Sequence, residues 1–228
     1  DSAELVHSIF PAFTKRDCGD YAFLIAKAKD YCLSPDSPNL DFISRHPELR
    51  RIYSAYEDRL RSTGNVDFGD LILMPALLLE KDETIRNRTR QRFRVILVDE
   101  YQDTNGAQYQ LTKILAAQHH NLCVVGDADQ SIYGWRGADI RNIMDFEQDY
   151  PESHTIKLEQ NYRSTKNILA AANAVIEHNI NRKNKELWTD NATGEKLTTY
   201  EARDERDEGQ FITTTITKQK TIFNASYG

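Results

Sequence analysis

The sequence predicts an α/β protein, with parallel strands joined by crossover helices behind an all-helical block. Three observations point there. Val95-Ile-Leu-Val98 and Leu122-Cys-Val-Val125 are short apolar runs without alternation, the pattern of parallel strands buried on both faces. Each run stops abruptly in polar residues, Asp99-Glu100 in one case and Gly126-Asp127 in the other. Between and after them the apolar spacing turns helical, and parallel neighbours need such crossovers, with right-handed connections.

Residues 1 to about 90 read as helical. Tyr21–Leu33 is an apolar-rich helix, broken by Ser34-Pro-Asp-Ser-Pro38. Pro47 suits the first turn of a helix carrying Leu49, Ile52, Tyr53, Tyr56 and Leu60, which ends at Ser62-Thr-Gly-Asn65. Tyr53 and Tyr56 have rings able to stack on bases, but their place in an apolar stripe marks them as packing residues. Phe68–Leu79 is apolar enough for core, with a kink or early break at Pro75. Arg86, Arg88, Arg90, Arg92 and Arg94 then lead into the first strand. They suit phosphate contacts or, more simply, a solvated face.

After the strand at 95–98, a helix is expected near 107–118, with Leu111, Ile114 and Leu115 on one face. The strand Leu122–Val125, a helix near 139–149 and a strand near 155–158 follow. Ser164 or Thr165 caps the next helix, which carries Ile168, Leu169, Ala172, Val175, Ile176 and Ile180. Beyond Asn181 the chain is polar, with one more strand expected at 197–202.

At 228 residues, 39% hydrophobic and 28% charged, the chain can bury a core as one large or two small globular domains. A net charge of −6 argues against a uniformly basic nucleic-acid binder and leaves room for a local groove. No apolar run approaches the roughly 18 residues of a membrane span, and Asp1 opens no recognisable signal peptide. Cys18, Cys32 and Cys123 form no C-x-x-C pair, so free thiols in a reducing cytoplasm are expected. His119-His120 near Cys123 reads as a surface turn, because adjacent side chains point to different sides.

The chemistry concentrates at strand ends. Asp99 and Glu100 close a strand at its carboxyl end, where open α/β sheets bind ligands. In a nucleotide hydrolase one such acid serves Mg²⁺ and a second the attacking water; a solvated acidic turn fits the pair equally well. Gly126-Asp-Ala-Asp-Gln-Ser-Ile-Tyr-Gly-Trp-Arg-Gly-Ala-Asp139 combines Asp127 and Gln130 with Tyr133 and Trp135 beside Arg136. An indole in a glycine-punctuated loop is badly placed for core packing and well suited to base stacking. Leu158-Glu-Gln-Asn-Tyr-Arg-Ser164 joins Tyr162, suited to an adenine face, to Arg163, suited to a γ-phosphate. Singly, each segment is also a turn, a loop anchor or a surface ion pair; their joint occurrence in this order argues against that.

Three strings carry a resemblance: D-E-Y-Q-D-T-N at 99–105, G-D-x-D-Q-S-I-Y-x-W-R-G-A at 126–138 and N-Y-R-S-T at 161–165. From about Val66 to Leu197 the sequence closely resembles the UvrD/PcrA/Rep family of superfamily-1 DNA helicases. The resemblance implies a partial RecA-like parallel sheet with helices on both faces plus a helical inserted subdomain. Residues 1–90 would be the helical accessory subdomain, 91–157 the remainder of the first RecA-like domain, and 158–228 the beginning of the second.

It also implies an ATP-dependent helicase or translocase moving 3′ to 5′ on single-stranded DNA in repair or replication, with ATP and Mg²⁺ as cofactors. DNA junctions and repair or replication proteins are the expected partners. By the resemblance, Asp99 holds Mg²⁺, Glu100 activates water, and Gln130 senses the γ-phosphate. Tyr162 lies against adenine and Arg163 is the arginine finger. Tyr133 and Trp135 stack on bases, with Arg136 supporting the loop or a nearby phosphate.

No G-x-x-x-x-G-K-[ST] occurs, and none of the 10 glycines is followed by lysine. The family places that phosphate cradle upstream, so Asp1 reads as the start of an excised piece that hydrolyses ATP negligibly alone. Gly69 and Ala128 stand where relatives often carry acids. Two alternatives stay open: a non-catalytic DNA-binding or interaction module derived from the motor, and the motor part of a helicase–nuclease subunit.

Overall fold

Local capping chemistry sets the helical block in place. Asp1 caps α1 (Ser2–Ile9) by accepting from the Ala3 N–H. Thr14 and Asp17 form a reciprocal capping box at the start of α2 (Lys15–Asp30), satisfying two orphan amides at once. After a short 3₁₀ turn at Pro38–Phe42, α3 (Leu49–Ser62) turns the expected stripe inward. Leu49, Ile52, Tyr53, Tyr56 and Leu60 are all buried, in one cluster with Val6, Cys18, Tyr21, Ile25, Ala28 and Leu40. The structure describes residues 1–179, 183 and 185–224, in a computed structural model. Tyr53 and Tyr56 are packing residues as expected: each is at most 1% exposed, and their hydroxyls donate to Leu33 O and Asp67 Oδ2.

At the junction of α2, α3 and α4 (Asp70–Lys81) sits a buried ion cluster. The Lys29 ammonium, fully buried, lies 2.7 Å from Glu57, 2.7 Å from Asp67 and 2.6 Å from Asp70. Burial by itself would lower the Lys29 pKa, but the hydrogen bonds to the three carboxylates outweigh it and raise the pKa. Burial pushes the Glu57 carboxyl up despite Lys29. For Asp67 burial is overcome by Lys29, and its carboxyl is held below the usual range. α4 carries Pro75 inside it and runs through to Lys81 without a break.

The arginine run forms α5 (Glu83–Arg92), which buries no residue. Two of its arginines close other helices: Arg86 donates to the carbonyls of Leu79 and Glu80 at the end of α4, and Arg90 to Ile114 O near the end of the next long helix. The chain then enters β1 (Ile96–Val98), crosses through α6 (Gly106–Ala116) and returns in β2 (Leu122–Val124). The two strands are parallel, with Leu97 opposite Cys123 and Val98 opposite Val124. This is the α/β unit the sequence predicts.

The burial of β1 differs from the expectation. Ile96 and Val98 face the helices, while Leu97 is 74% exposed, and Val95, Cys123 and Val125 are exposed with it. Side chains of a strand alternate between faces, and the face carrying Leu97 is open. The helix expected near 139–149 forms as two short pieces, α7 (Arg141–Met144) and α8 (Phe146–Asp149).

The chain divides into two units: Asp1–Thr155 with Lys183, and Ile156–Asn179 with residues 185–224. In the second, α9 (Lys166–Ile176) follows Thr165 as expected, and α10 (Glu205–Phe223) is capped by Asp204. Ile180, assigned from sequence to the α9 stripe, lies outside the described residues. Two expected strands do not form. Ile156 and Leu158 are 81% and 79% exposed, and a single bridge from Gln160 to Trp188 replaces the ladder. A strand needs a partner for its amides, and apolar composition does not supply one. Around 197–202 there is likewise no ladder; Tyr200 instead stacks on Phe211, with ring centroids 3.9 Å apart. Among the described residues, no helix is long and apolar enough to cross a membrane.

Candidate nucleotide and nucleic-acid site

The end of β1 delivers its two acids through a forced turn. Asp99 and Glu100 are both exposed, and the Glu100 N–H donates to Asp99 Oδ1 at 2.9 Å. Glu100 sits in the left-handed region, at φ 48° and ψ 44°, a conformation costly for a side chain with a Cβ. A single 3₁₀ turn, Tyr101–Asp103, follows and buries Tyr101 and Gln102. The Tyr101 amide donates to Val125 O, tying this turn to the end of the neighbouring strand.

Gln102 is the residue that sequence reasoning missed. Its side-chain amide donates to Glu100 Oε2 at 2.8 Å, and its Oε1 accepts from the Asp127 N–H at 2.9 Å. Asp127 in turn accepts from the Gln130 side chain at 2.8 Å and from the Asp129 N–H. Glu100 and Gln130 are thereby joined, through Gln102 and Asp127, into one hydrogen-bonded chain across the two strand ends. The signal was present in D-E-Y-Q-D only as an uncharged amide among acids; the partner that gives it meaning, Asp127, lies across the strand pair.

The aromatic loop is fastened at both ends. At its start, Asp127 is held by Gln102. At its finish, the Asp139 N–H donates to Thr104 O, while the Asn142 side chain donates to Thr104 O and Oγ1 at 3.0 and 3.1 Å. Between these anchors Tyr133 and Trp135 are 38% and 71% exposed. The Arg136 guanidinium lies over both rings, 5.7 Å from the Tyr133 centroid and 4.7 Å from that of Trp135, a cation–π arrangement that holds the rings at the surface.

Tyr162 and Arg163 belong to the second unit, and both are exposed there. Asn161 Oδ1 accepts from the amides of Arg163 and Ser164 at 2.9 and 2.7 Å, so the N-Y-R-S string is a side-chain-closed turn. The Tyr162 hydroxyl donates to Gln160. The Asn191 side chain donates to the carbonyls of Tyr162 and Ser164.

His119 is structural, as the surface-turn reading implies. Its Nε2 bonds the Phe93 carbonyl and its Nδ1 accepts from the Asn121 N–H, so both ring nitrogens serve the backbone. Among the described residues no cluster of three His, Cys, Asp or Glu side chains is placed to hold a metal. Asp99 is an exposed carboxylate at a strand end, the donor type used where one or two carboxylates share Mg²⁺ with nucleotide phosphates and water.

The acids, the amide and the aromatic loop gather at the carboxyl ends of a parallel strand pair, the end at which open α/β sheets bind their ligands. Residues 4–151 match the UvrD/REP helicase N-terminal domain and residues 156–227 the UvrD-like helicase C-terminal domain, and the chain belongs to this family. The ATP-dependent DNA helicase PcrA of Staphylococcus aureus is 50% identical over 197 residues, covering 86% of this chain. PcrA of Leuconostoc citreum is 46% identical over 205 residues, covering 90% of it. In both cases the chain spans 27% of the relative's length.

Proposed function

We propose that the chain is part of an ATP-dependent DNA helicase, coupling nucleotide hydrolysis to 3′-to-5′ movement on single-stranded DNA in repair or replication. The observation that carries the reading is the hydrogen-bonded path from Glu100 through Gln102 and Asp127 to Gln130, at the root of a loop presenting two exposed aromatic rings. A binding module has no use for an acid held in a strained turn beside an amide sensor. In this reading residues 1–90 are the accessory subdomain, 91–157 complete the first RecA-like domain and 158–228 open the second.

Glu100 orients and deprotonates water, Gln130 reads the γ-phosphate, Tyr162 lies on the adenine and Arg163 neutralises developing charge. Asp99 would hold Mg²⁺, which would supply charge neutralisation for phosphoryl transfer. Tyr133 and Trp135 stack on successive bases, which suits a strand gripped without regard to sequence.

Titrating oligothymidylate into the protein while following tryptophan fluorescence tests the DNA half of the reading. Saturable quenching is expected from the wild type and its loss from Trp135→Ala. Identical responses from both would overturn it.

A further inference from the structure

Gln102 is 1% exposed, yet its side-chain amide makes three hydrogen bonds at the strand ends. Nε2 donates to Glu100 Oε2 at 2.8 Å and to Asp103 Oδ2 at 3.3 Å, and Oε1 accepts from the Asp127 N–H at 2.9 Å. The geometry points to Gln102 as a positioning residue that makes the water-activating acid and the phosphate-sensing turn respond as one body. This rests on the roles proposed above for Glu100 and Gln130.

Two further features fit that assignment. Glu100 occupies a left-handed backbone conformation, where a non-glycine residue persists only when its surroundings over-determine it. The Gln102 amide is a side-chain contact that fixes the Glu100 carboxylate there. Gly126 completes the fit: a Cβ at that position would stand 2.7 Å from Gln102 Oε1, 2.8 Å from Ile143 Cδ1 and 3.1 Å from Tyr101 N. The backbone entering the sensor turn therefore lies so close to the amide that a Cβ at 126 would require the Gln102 and Ile143 side chains to shift.

The chemistry also explains why glutamine stands here. Glutamate would keep the acceptor for the Asp127 amide but set a like charge against Glu100 and Asp103. Asparagine is one methylene short of spanning both partners. Methionine matches the length and the burial and offers neither donor nor a strong acceptor. The path continues beyond Asp127, whose Oδ2 accepts from the Gln130 side chain, so a change in the set of the Glu100 carboxylate reaches the sensing amide through two side chains.

The test is a double-mutant cycle in amide chemical shifts, recorded by heteronuclear NMR on the ¹⁵N-labelled protein with no nucleotide or DNA present. Glu100→Gln is expected to displace the Gln102 side-chain NH₂ resonances and the Asp127 and Gln130 signals in the wild-type background. In the Gln102→Met background the same substitution should leave Asp127 and Gln130 unmoved. Gln102→Glu is the second variant, retained in case the methionine variant fails to fold. There the like charge should displace the Asp127 and Gln130 signals, and adding Glu100→Gln, which exchanges donor and acceptor between positions 100 and 102, should move both back toward their wild-type positions. A filler role for Gln102 would not produce background-dependent responses. Equal displacement of Asp127 and Gln130 in all backgrounds would overturn the assignment. Because the sample holds no nucleotide or DNA, that failure would leave the helicase reading standing, and failure of the DNA titration would leave this coupling standing.

Discussion

Gly137 lies against Asp30. It adopts φ 84°, and a Cβ there would stand 2.8 Å from Asp30 Oδ2 and 3.1 Å from Asp30 Cγ. The other Asp30 oxygen accepts from the Asn105 side chain at 2.8 Å, and burial raises the Asp30 pKa. The end of α2 thus touches both the start of α6 and the last turn of the aromatic loop. Gly137→Ala is expected to lose stability twice over, about 1 kcal/mol from the left-handed backbone and more from displacing Asp30. Urea denaturation would register this as a lowered midpoint. The variant should also bind oligothymidylate more weakly than the wild type, since Trp135 sits two residues away on the same turn.

Lys29 is the cation facing two buried carboxylates, Glu57 and Asp70, and the partly exposed Asp67. Lys29→Met should cost about 3–5 kcal/mol, because breaking a buried pair strands uncompensated charge. Asp70→Asn, which keeps the shape and leaves the ammonium two acids, should cost less. Denaturant titration of both variants measures the order; the reverse order would show that the cluster is not organised by the lysine.

The same cluster sets how stability varies with pH. The Lys29 pKa is raised on folding, so its contribution is fully present below its unfolded value of 10.5 and is lost as pH rises through the higher folded value. Asp67 runs the other way: its pKa is lowered from 3.8, so its contribution is present above 3.8 and is lost as pH falls through the folded value. Glu57, raised by burial, opposes folding wherever it is ionised. Thermal melts should therefore weaken both above about pH 10.5 and below about pH 3.8, and Lys29→Met should reduce the alkaline loss, part of which stays with Tyr53 and Tyr56, whose hydroxyls burial also pushes up.

Trp135 is 71% exposed and Arg136 already lies 4.7 Å from its ring centroid. Stacking contributes about 1–3 kcal/mol per base, so Trp135→Ala should weaken binding of single-stranded DNA by about five- to 150-fold. Arg136→Ala should loosen the two rings and reduce the salt dependence of binding. Fluorescence anisotropy with a labelled oligonucleotide at two ionic strengths separates the effects.

For hydrolysis, the expected outcome with these 228 residues, ATP, Mg²⁺ and single-stranded DNA is negligible phosphate release. The sequence lacks the G-x-x-x-x-G-K-[ST] cradle, and contacts to charged groups are each worth about 1.5–3 kcal/mol. A phosphate-release assay showing robust turnover would contradict this. In the whole protein, Glu100→Gln should cut turnover by about a hundred- to ten-thousandfold, as expected for loss of a general base, while nucleotide binding persists.

The parallel pair, its crossover helix and the α3 stripe were legible because each follows a short-range rule: an apolar run or a helical period. Gln102 was not legible, since its meaning lies in Asp127, twenty-five residues away. The Asp30–Asn105 bond spans 75 residues and has no local signature. The strand expected at 155–158 shows the converse: Ile156 and Leu158 look like strand residues, but a ladder depends on a partner that composition does not encode. For Tyr133, Trp135 and Arg136 the sequence carried the exposure of the rings, because glycines on either side of an indole deny it a core.

The bare side of the strand pair has a practical corollary. Cys123 projects there next to Leu97, whereas Cys18 is buried and the Cys32 thiol, pushed up by burial, is a poorer nucleophile. A maleimide dye would thus mark one predictable spot. Slower labelling would report, in real time, any surface that comes to rest on that sheet.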